Sequence, residues 1–297
     1  MSCVSAVLTR AVLFDREGAR NYMLELINRD RASLGLLPVV LDNTASEAAQ
    51  LHSDEMSTIG YHGHWSLDGR KPDQRYSELG GRDAVSENVI GAVNGTKAIS
   101  SKYSSTADTS TIPKIKLDSA EEAFFNEAPS NDGHRRNIVN PLHTAVGIGL
   151  TATPYNFCCV QEFIDHYGDY SDIPRNLDIG DRFTLKGRLL KGVHISAVEL
   201  RWEEFPKPVS KEFINERQSY SIPGAENSVI TYGVRSKVHP ISVQLADGCE
   251  HFSVDIEINK RWKPGLYYLL VWADIDSRPG QVNISRRTFL LSQRIRG

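Results

Sequence analysis

The chain has 297 residues, a formal net charge of -3, 40% apolar residues and 24% charged residues. That balance is ordinary for a globular protein and gives no electrostatic pull toward nucleic acid or an anionic membrane surface. No run approaches the ~18 consecutive apolar residues of a membrane-spanning helix, and the length suits about two domains of roughly 100–200 residues each.

The first residues, Met1 to Phe14, are mildly apolar but lack a basic start, and Arg10 and Asp15 interrupt them. This is a poor signal peptide, so a cytosolic chain and a trimmed export signal both stay open. Residues 17–34 predict an amphipathic helix with Tyr22, Met23, Leu26 and Ile27 inward and Arg20, Glu25, Arg29 and Asp30 outward, stopped by Gly35 and Pro38. A second helix is expected from Thr44, capped with Glu47, with Ala45, Ala48, Ala49, His52 and Met56 on its inner stripe. His52 reads there as a hydrogen-bonded core residue.

From Gly60 to Tyr76 the composition is that of a loop. His62 and His64 share one face of extended backbone, which is weak support for a metal pair. Ser86 to Ile90 enters a strand or helix, and residues 91–117 read as a long polar surface loop or partly ordered insertion.

The stretch from Ser119 to Asn137 carries most of the signal. Ser119 with Glu122 forms a capping-box pair, so a helix is expected to start there and to end by Pro129, Asn131 and Gly133. Ala120, Ala123, Phe124 and Glu127 then fall on one stripe, which places a carboxylate on an apolar face. Such a carboxylate needs a partner, and His134 follows within a short turn. Ala145 to Thr153 and Phe157 to Ile164 predict two strands joined through Thr153-Pro154-Tyr155-Asn156.

The chain turns polar between Tyr170 and Asp178, which sets the expected boundary: one domain over 14–170 and a second over 175–297. Beyond it, alternation dominates: Phe183, Leu185 and Leu189; Val198, Leu200 and Trp202; Phe252 to Ile258. Leu266 to Trp272 is a buried-strand run and Arg286 to Leu291 a last strand. About seven short strands with turn signals between them predict an antiparallel β-sandwich of immunoglobulin-like shape. Cys158 and Cys159 point to opposite faces of a strand and cannot bridge; with Cys3 and Cys249 they read as buried thiols.

Nucleotide-binding glycine loops, Gly-x-Ser-x-Gly and His-Glu-x-x-His are all absent. The best chemical set is His64, Glu87, Glu127 and His134. Two imidazoles and two carboxylates suit a divalent ion such as zinc, with imidazole ligands and carboxylates orienting a water. They equally suit acid–base work without metal.

A family likeness runs through Leu24-Glu25-Leu26-Ile27-Asn28 with Arg31, Ala49 to Met56, Gly63-His64 with Asp68-Gly69, and Ser86-Glu87-Asn88. It continues through Phe125-Asn126-Glu127, Gly133 to Ile138, Val146 to Gly149 and Val160 to Phe163. In this order, over roughly residues 17–167, the chain resembles the CAP superfamily (the cysteine-rich secretory, antigen 5 and pathogenesis-related 1 proteins) in its cysteine-poor bacterial SCP-like form. The resemblance implies an α–β–α sandwich with a cleft of two His and two Glu, which fall here on His64, Glu87, Glu127 and His134. The two histidines are the implied ligands of a divalent cation, and His62 has no counterpart. Ser86 stands where the family usually has Gly, and Phe124 where it usually has Trp. The insertion between Val93 and Lys116 is longer than usual, and the β-rich tail from about Asp172 lies outside the likeness. Members serve as toxins, defence proteins and lipid carriers, so the fold does not fix the function.

The expectation is an α+β protein, a CAP domain followed by a β-sandwich, exported to the cell envelope or beyond. Its cleft is expected to hold a divalent cation without catalysis, and its second domain to bind a protein, glycan or lipid or to give support. The alternatives are a metal-assisted hydrolase of peptidase type, with Glu87 or Glu127 as catalytic base, and a lipid or sterol carrier.

Overall fold

A computed structural model describes residues 12–91, 111–153, 156–217, 219–276 and 278–293. The N-terminal half runs β1 (Leu13–Phe14), α1 (Arg16–Ala32), β2 (Val40–Leu41), α2 (Asn43–Ile59), α3 (Pro72–Glu78), β3 (Ala84–Gly91), β4 (Ile112–Pro113), α4 (Lys114–Phe125), α5 (Gly133–Ile138), β5 (Ala145–Ala152) and β6 (Phe157–Asp165). The C-terminal half runs β7 (Gly168–Tyr170), β8 (Asn176–Asp178), β9 (Arg182–Leu189), β10 (Val193–Glu203), α6 (Lys211–Glu216), β11 (Ser228–Gly233), β12 (Ser242–Ala246), β13 (Cys249–Glu257), β14 (Gly265–Ile275) and β15 (Arg278–Ser292).

The first half is built on a four-stranded sheet in the order β2-β5-β6-β3. Alternate residues of β5 show why helices cover both faces. Val146, Ile148 and Leu150 pack with Met23 and Ile27 of α1 and with Leu117 and Phe124 of α4. Gly147 and Gly149 face the other way, where a Cβ would lie 2.2 Å from the backbone of Ala45 and of Ala49, so α2 rests directly on the strand. Cys159 belongs to the first layer and Cys158 to the second, on opposite faces as expected; Cys158, Cys159 and Cys249 are free and buried.

Several boundaries differ from the sequence reading. α2 is capped by Asp42, two residues ahead of Thr44; its carboxylate accepts from the N–H of Ala45 at 2.6 Å. Asp30, expected outside, is buried and takes the Arg29 guanidinium at 2.8 Å. The region read as loop after Gly60 contains α3, started by Pro72 at its first turn. α4 starts directly after Pro113, so Ser119 and Glu122 lie exposed inside it instead of capping it. Its buried stripe is Leu117, Ala120, Glu121 and Phe124, whereas Ala123 is exposed and Glu127 lies beyond the helix end at Asn126. The expected insertion falls mostly on residues 92–110, and Cys3, Pro154 and Tyr155 likewise lie outside the described residues.

The second half is β-rich. A five-stranded sheet, β11-β10-β14-β15-β8, and a four-stranded sheet, β12-β13-β9-β7, contribute to one buried cluster that includes Leu185, Val198, Val254, Leu269 and Ile284. Described ladders here are antiparallel except that β8 runs parallel to β15, a departure from the all-antiparallel expectation. β7, expected before the domain boundary, is the edge strand of the four-stranded sheet.

Residues 204–217 and 219–221, between β10 and β11, leave this half and lie on the first. Ile214 of α6 is fully buried among Ala49, Met56, Tyr61, Val89 and Val160. A burial of that kind is worth about 1.5–3 kcal/mol. The N–H of Val209 donates to the Leu67 carbonyl at 2.8 Å, and that of His62 to Asn215 Oδ1 at 2.8 Å. Gly69 (φ +87°) permits the approach: a Cβ there would lie 2.3 Å from the carbonyl oxygen of Lys207. Lys71 pairs with Glu203 at 2.7 Å and donates to the Ser221 carbonyl at 2.9 Å. β15 adds an ion pair between Arg286 and the fully buried Asp73 at 2.8 Å.

Candidate functional site

The loop that carries His64 is fixed from three directions. His52 on α2 donates through Nε2 to the Gly63 carbonyl at 2.8 Å, and burial pushes its imidazole down to about 3, so it is a neutral core residue. Arg75 on α3 donates to the His64 carbonyl at 2.8 Å and to Glu87 Oε2 at 2.5 Å. Glu87 points from β3 and takes His64 Nδ1 on its other oxygen at 2.9 Å. Burial alone would raise the Glu87 carboxyl, but the Arg75 guanidinium and the hydrogen bond from His64 outweigh it and hold it well below the usual range. Glu87 is therefore a charged acceptor with a donor on each oxygen.

The second arm sits between α4 and α5. Glu127 takes His134 Nδ1 at 2.6 Å, and its other oxygen accepts from the backbone N–H groups of His134 at 2.8 Å and Arg135 at 3.3 Å. Glu127 thus caps α5 from the preceding turn. Asn88 and Asn137 tie this arm to β3: the Asn137 amide donates to Asn88 Oδ1 at 2.8 Å, and Asn88 donates to the His134 carbonyl at 3.1 Å. Burial lowers the His134 pKa, only partly opposed by Glu127, which favours the neutral ring.

The two imidazoles meet with ring centroids 6.3 Å apart. Each has Nδ1 held by a carboxylate, and among the described residues no hydrogen bond reaches either Nε2. They line one cleft of about 470 Å³ with Glu87, Glu127, Ser86 and Asn137. All four residues singled out from the sequence are brought together. His62 is not among them; its Nδ1 accepts from the Gly91 N–H at 3.0 Å.

The donor set fits an ion at the two Nε2 atoms, since a carboxylate on Nδ1 fixes the tautomer that presents Nε2. The carboxylates hold imidazoles instead of orienting a water. Among the described residues no three His, Cys, Asp or Glu side chains form a closed cluster for an ion, so an ion here would keep open positions.

Sequence reasoning missed two contributors and misplaced one carboxylate. Arg75 was hidden by the loop reading, although Pro72 before a charged run signals a helix start. Glu121, not Glu127, is the carboxylate on the buried stripe of α4; it takes Gln161 Nε2 at 2.6 Å and burial pushes it up to about 8. The second contributor comes from the C-terminal half: Tyr220 stands with its ring centroid 5.0 Å from that of His64, and Ser219, Ser221, Ile222 and Arg286 also line the cleft.

A sequence profile of the CAP family, the cysteine-rich secretory protein family, matches residues 24–163. The chain carries a CAP domain. The match takes in all four cleft residues and ends within β6. No curated protein matches the chain in sequence. Among solved structures, an extracellular protein containing an SCP domain from Bacillus anthracis is similar at 21% identity and a TM-score of 0.36, over 50% of this chain and 40% of that chain. An outer surface protein from Borrelia burgdorferi is similar at 16% identity and a TM-score of 0.39, over 52% of this chain and 98% of that one. A Niemann-Pick type C2 protein from the Japanese carpenter ant is similar at 9% identity and a TM-score of 0.24, over 43% and 94%. Among the described residues, no helix is long and apolar enough to cross a membrane.

Proposed function

We propose that this CAP-domain protein is exported, acts without catalysis, and holds a divalent cation such as zinc between His64 and His134, with Glu87 and Glu127 orienting the two rings. The observation that carries the reading is the pair of carboxylate-held imidazoles 6.3 Å apart on one cleft. A bound ion would supply Lewis acidity and open coordination positions for a ligand oxygen. Export follows the family's description as secretory. The C-terminal half serves as a binding or support module of immunoglobulin-like shape, a reading supported by its two sheets sharing one core.

The metal-assisted hydrolase reading asks Glu87 or Glu127 to act as a free base, and both already accept from an imidazole and at least one further donor. The lipid-carrier reading asks for an apolar groove, whereas this cleft is faced by imidazoles, carboxylates and hydroxyls. The test is calorimetric titration of the full chain with zinc against a His64→Ala/His134→Ala double variant. A binding heat in the unmodified chain that vanishes in the variant is expected; equal heats would remove the proposal.

A further inference from the structure

The charged side chains facing the cleft are paired before any ligand arrives. Glu87 is held by Arg75 and His64, and Glu127 by His134 and two backbone N–H groups. Arg286 is held by Asp73, and Arg136 by Asp132 at 2.9 Å. What the lining offers beyond these pairs is neutral: the hydroxyls of Ser86, Ser219 and Ser221, the amide of Asn131, and the ring and hydroxyl of Tyr220. Three of those five residues come from the segment that crosses over from the C-terminal half.

At Glu87, Glu127 and Arg286 an ionic ligand would have to pull apart a buried or capping pair to find its counter-charge, which is costly. Arg136, its side chain 71% exposed at the rim, is the exception, and the phosphate ester in the test below probes it. A neutral molecule rich in hydroxyls needs only donors, acceptors and an aromatic face. The cleft volume of about 470 Å³ lies inside the range of roughly 300–1,000 Å³ typical of small-molecule sites. We propose that the cleft is a two-module site for a small neutral saccharide, held between the imidazole wall of the CAP domain and Tyr220 of the crossing segment. This rests on the cleft reading above, and it names the ligand class of that same site.

Ile214 anchors α6 on the CAP half, and Tyr220 lines the cleft with its ring centroid 5.0 Å from that of His64.

The test is saturation-transfer NMR and calorimetry on the full chain with glucose, N-acetylglucosamine and cellobiose, beside glycerol and glucose 6-phosphate, each with and without zinc. At least one neutral sugar is expected to bind, more tightly than glycerol and than the phosphate ester. Tyr220→Ala should weaken that binding about tenfold or more, the equivalent of roughly 1.4 kcal/mol. Ser86→Ala, on the opposite wall, is the second variant should Tyr220→Ala unfold; it is expected to weaken the sugar several-fold at an unchanged melting temperature. Tighter binding of the phosphate ester, sugar binding indifferent to both variants, or no neutral sugar bound would overturn the proposal. Zinc bound without sugar removes this inference alone; sugar bound without zinc removes the ion and leaves this inference standing.

Discussion

The two imidazole–carboxylate arms of the cleft perform the same local chemistry on very different supports. In the first, the side chains of His64 and Glu87 are 8% and 0% exposed, Glu87 projects from a sheet strand, and Arg75 clamps both partners. In the second, those of His134 and Glu127 are 26% and 17% exposed and sit on the turn and first turn of a six-residue helix. The contrast teaches that orientation of a ring and burial of its partner are separable. The first arm is part of the core, and loss of its charge should be felt in stability; the second is a local device whose loss should be felt at the cleft.

Three substitutions would break or sharpen that contrast. Glu87→Gln carries the largest effect, because it leaves the buried Arg75 without its carboxylate, a loss of about 3–5 kcal/mol readable by chemical denaturation. Since the folded Glu87 carboxyl lies below its unfolded value, its stabilisation is present above the unfolded pKa and is lost as pH falls through the folded one. The variant should therefore also lose part of the unmodified chain's decline in stability below about pH 4.5. Glu127→Gln should cost only about 0.5–1.5 kcal/mol, the scale of a lost helix cap or hydrogen bond, yet weaken zinc about 10–100-fold in calorimetry. If it destabilised as much as Glu87→Gln, the distinction between the arms would fail.

Glu121→Gln is the control on the opposite face of the same sheet and has the smallest effect at low pH. Its folded carboxyl is pushed up to about 8, so its contribution is fully present below the unfolded pKa and is lost as pH rises through the folded value. Replacement should flatten a decline of at most about 1.4 kcal/mol per pH unit between pH 5 and 8, read as melting temperature against pH. An unchanged slope would mean that Glu121 is ionised in the native state.

The sequence made the helical and strand skeleton of the CAP half legible because its apolar spacing is regular and short: the stripe Ala45, Ala48, Ala49, His52 and Met56 is buried as read. The cleft quartet was legible through the ordered motifs. The phase argument for Glu127 was not sound, since the helix begins after Pro113 and ends before Glu127; the partnership with His134 comes from a turn, which periodicity does not describe. Arg75 was missed because the short helix opened by Pro72 was read as loop. Tyr220 was illegible for a different reason: it meets His64 across a long sequence separation, from a segment that follows a strand of another sheet, and no local pattern encodes such a meeting.

Ile214 has a consequence for how this chain could be recombined. A graft that joined a foreign C-terminal half after Tyr170 would leave Ala49, Met56, Tyr61 and Val89 around a hole, with the backbone of Leu67 missing a donor. Only a transplant that brings along α6 and the stretch of chain around Val209 before it, or refills that hole, preserves the packing of the CAP half. The seam visible in the polymer is not the seam at which the molecule comes apart.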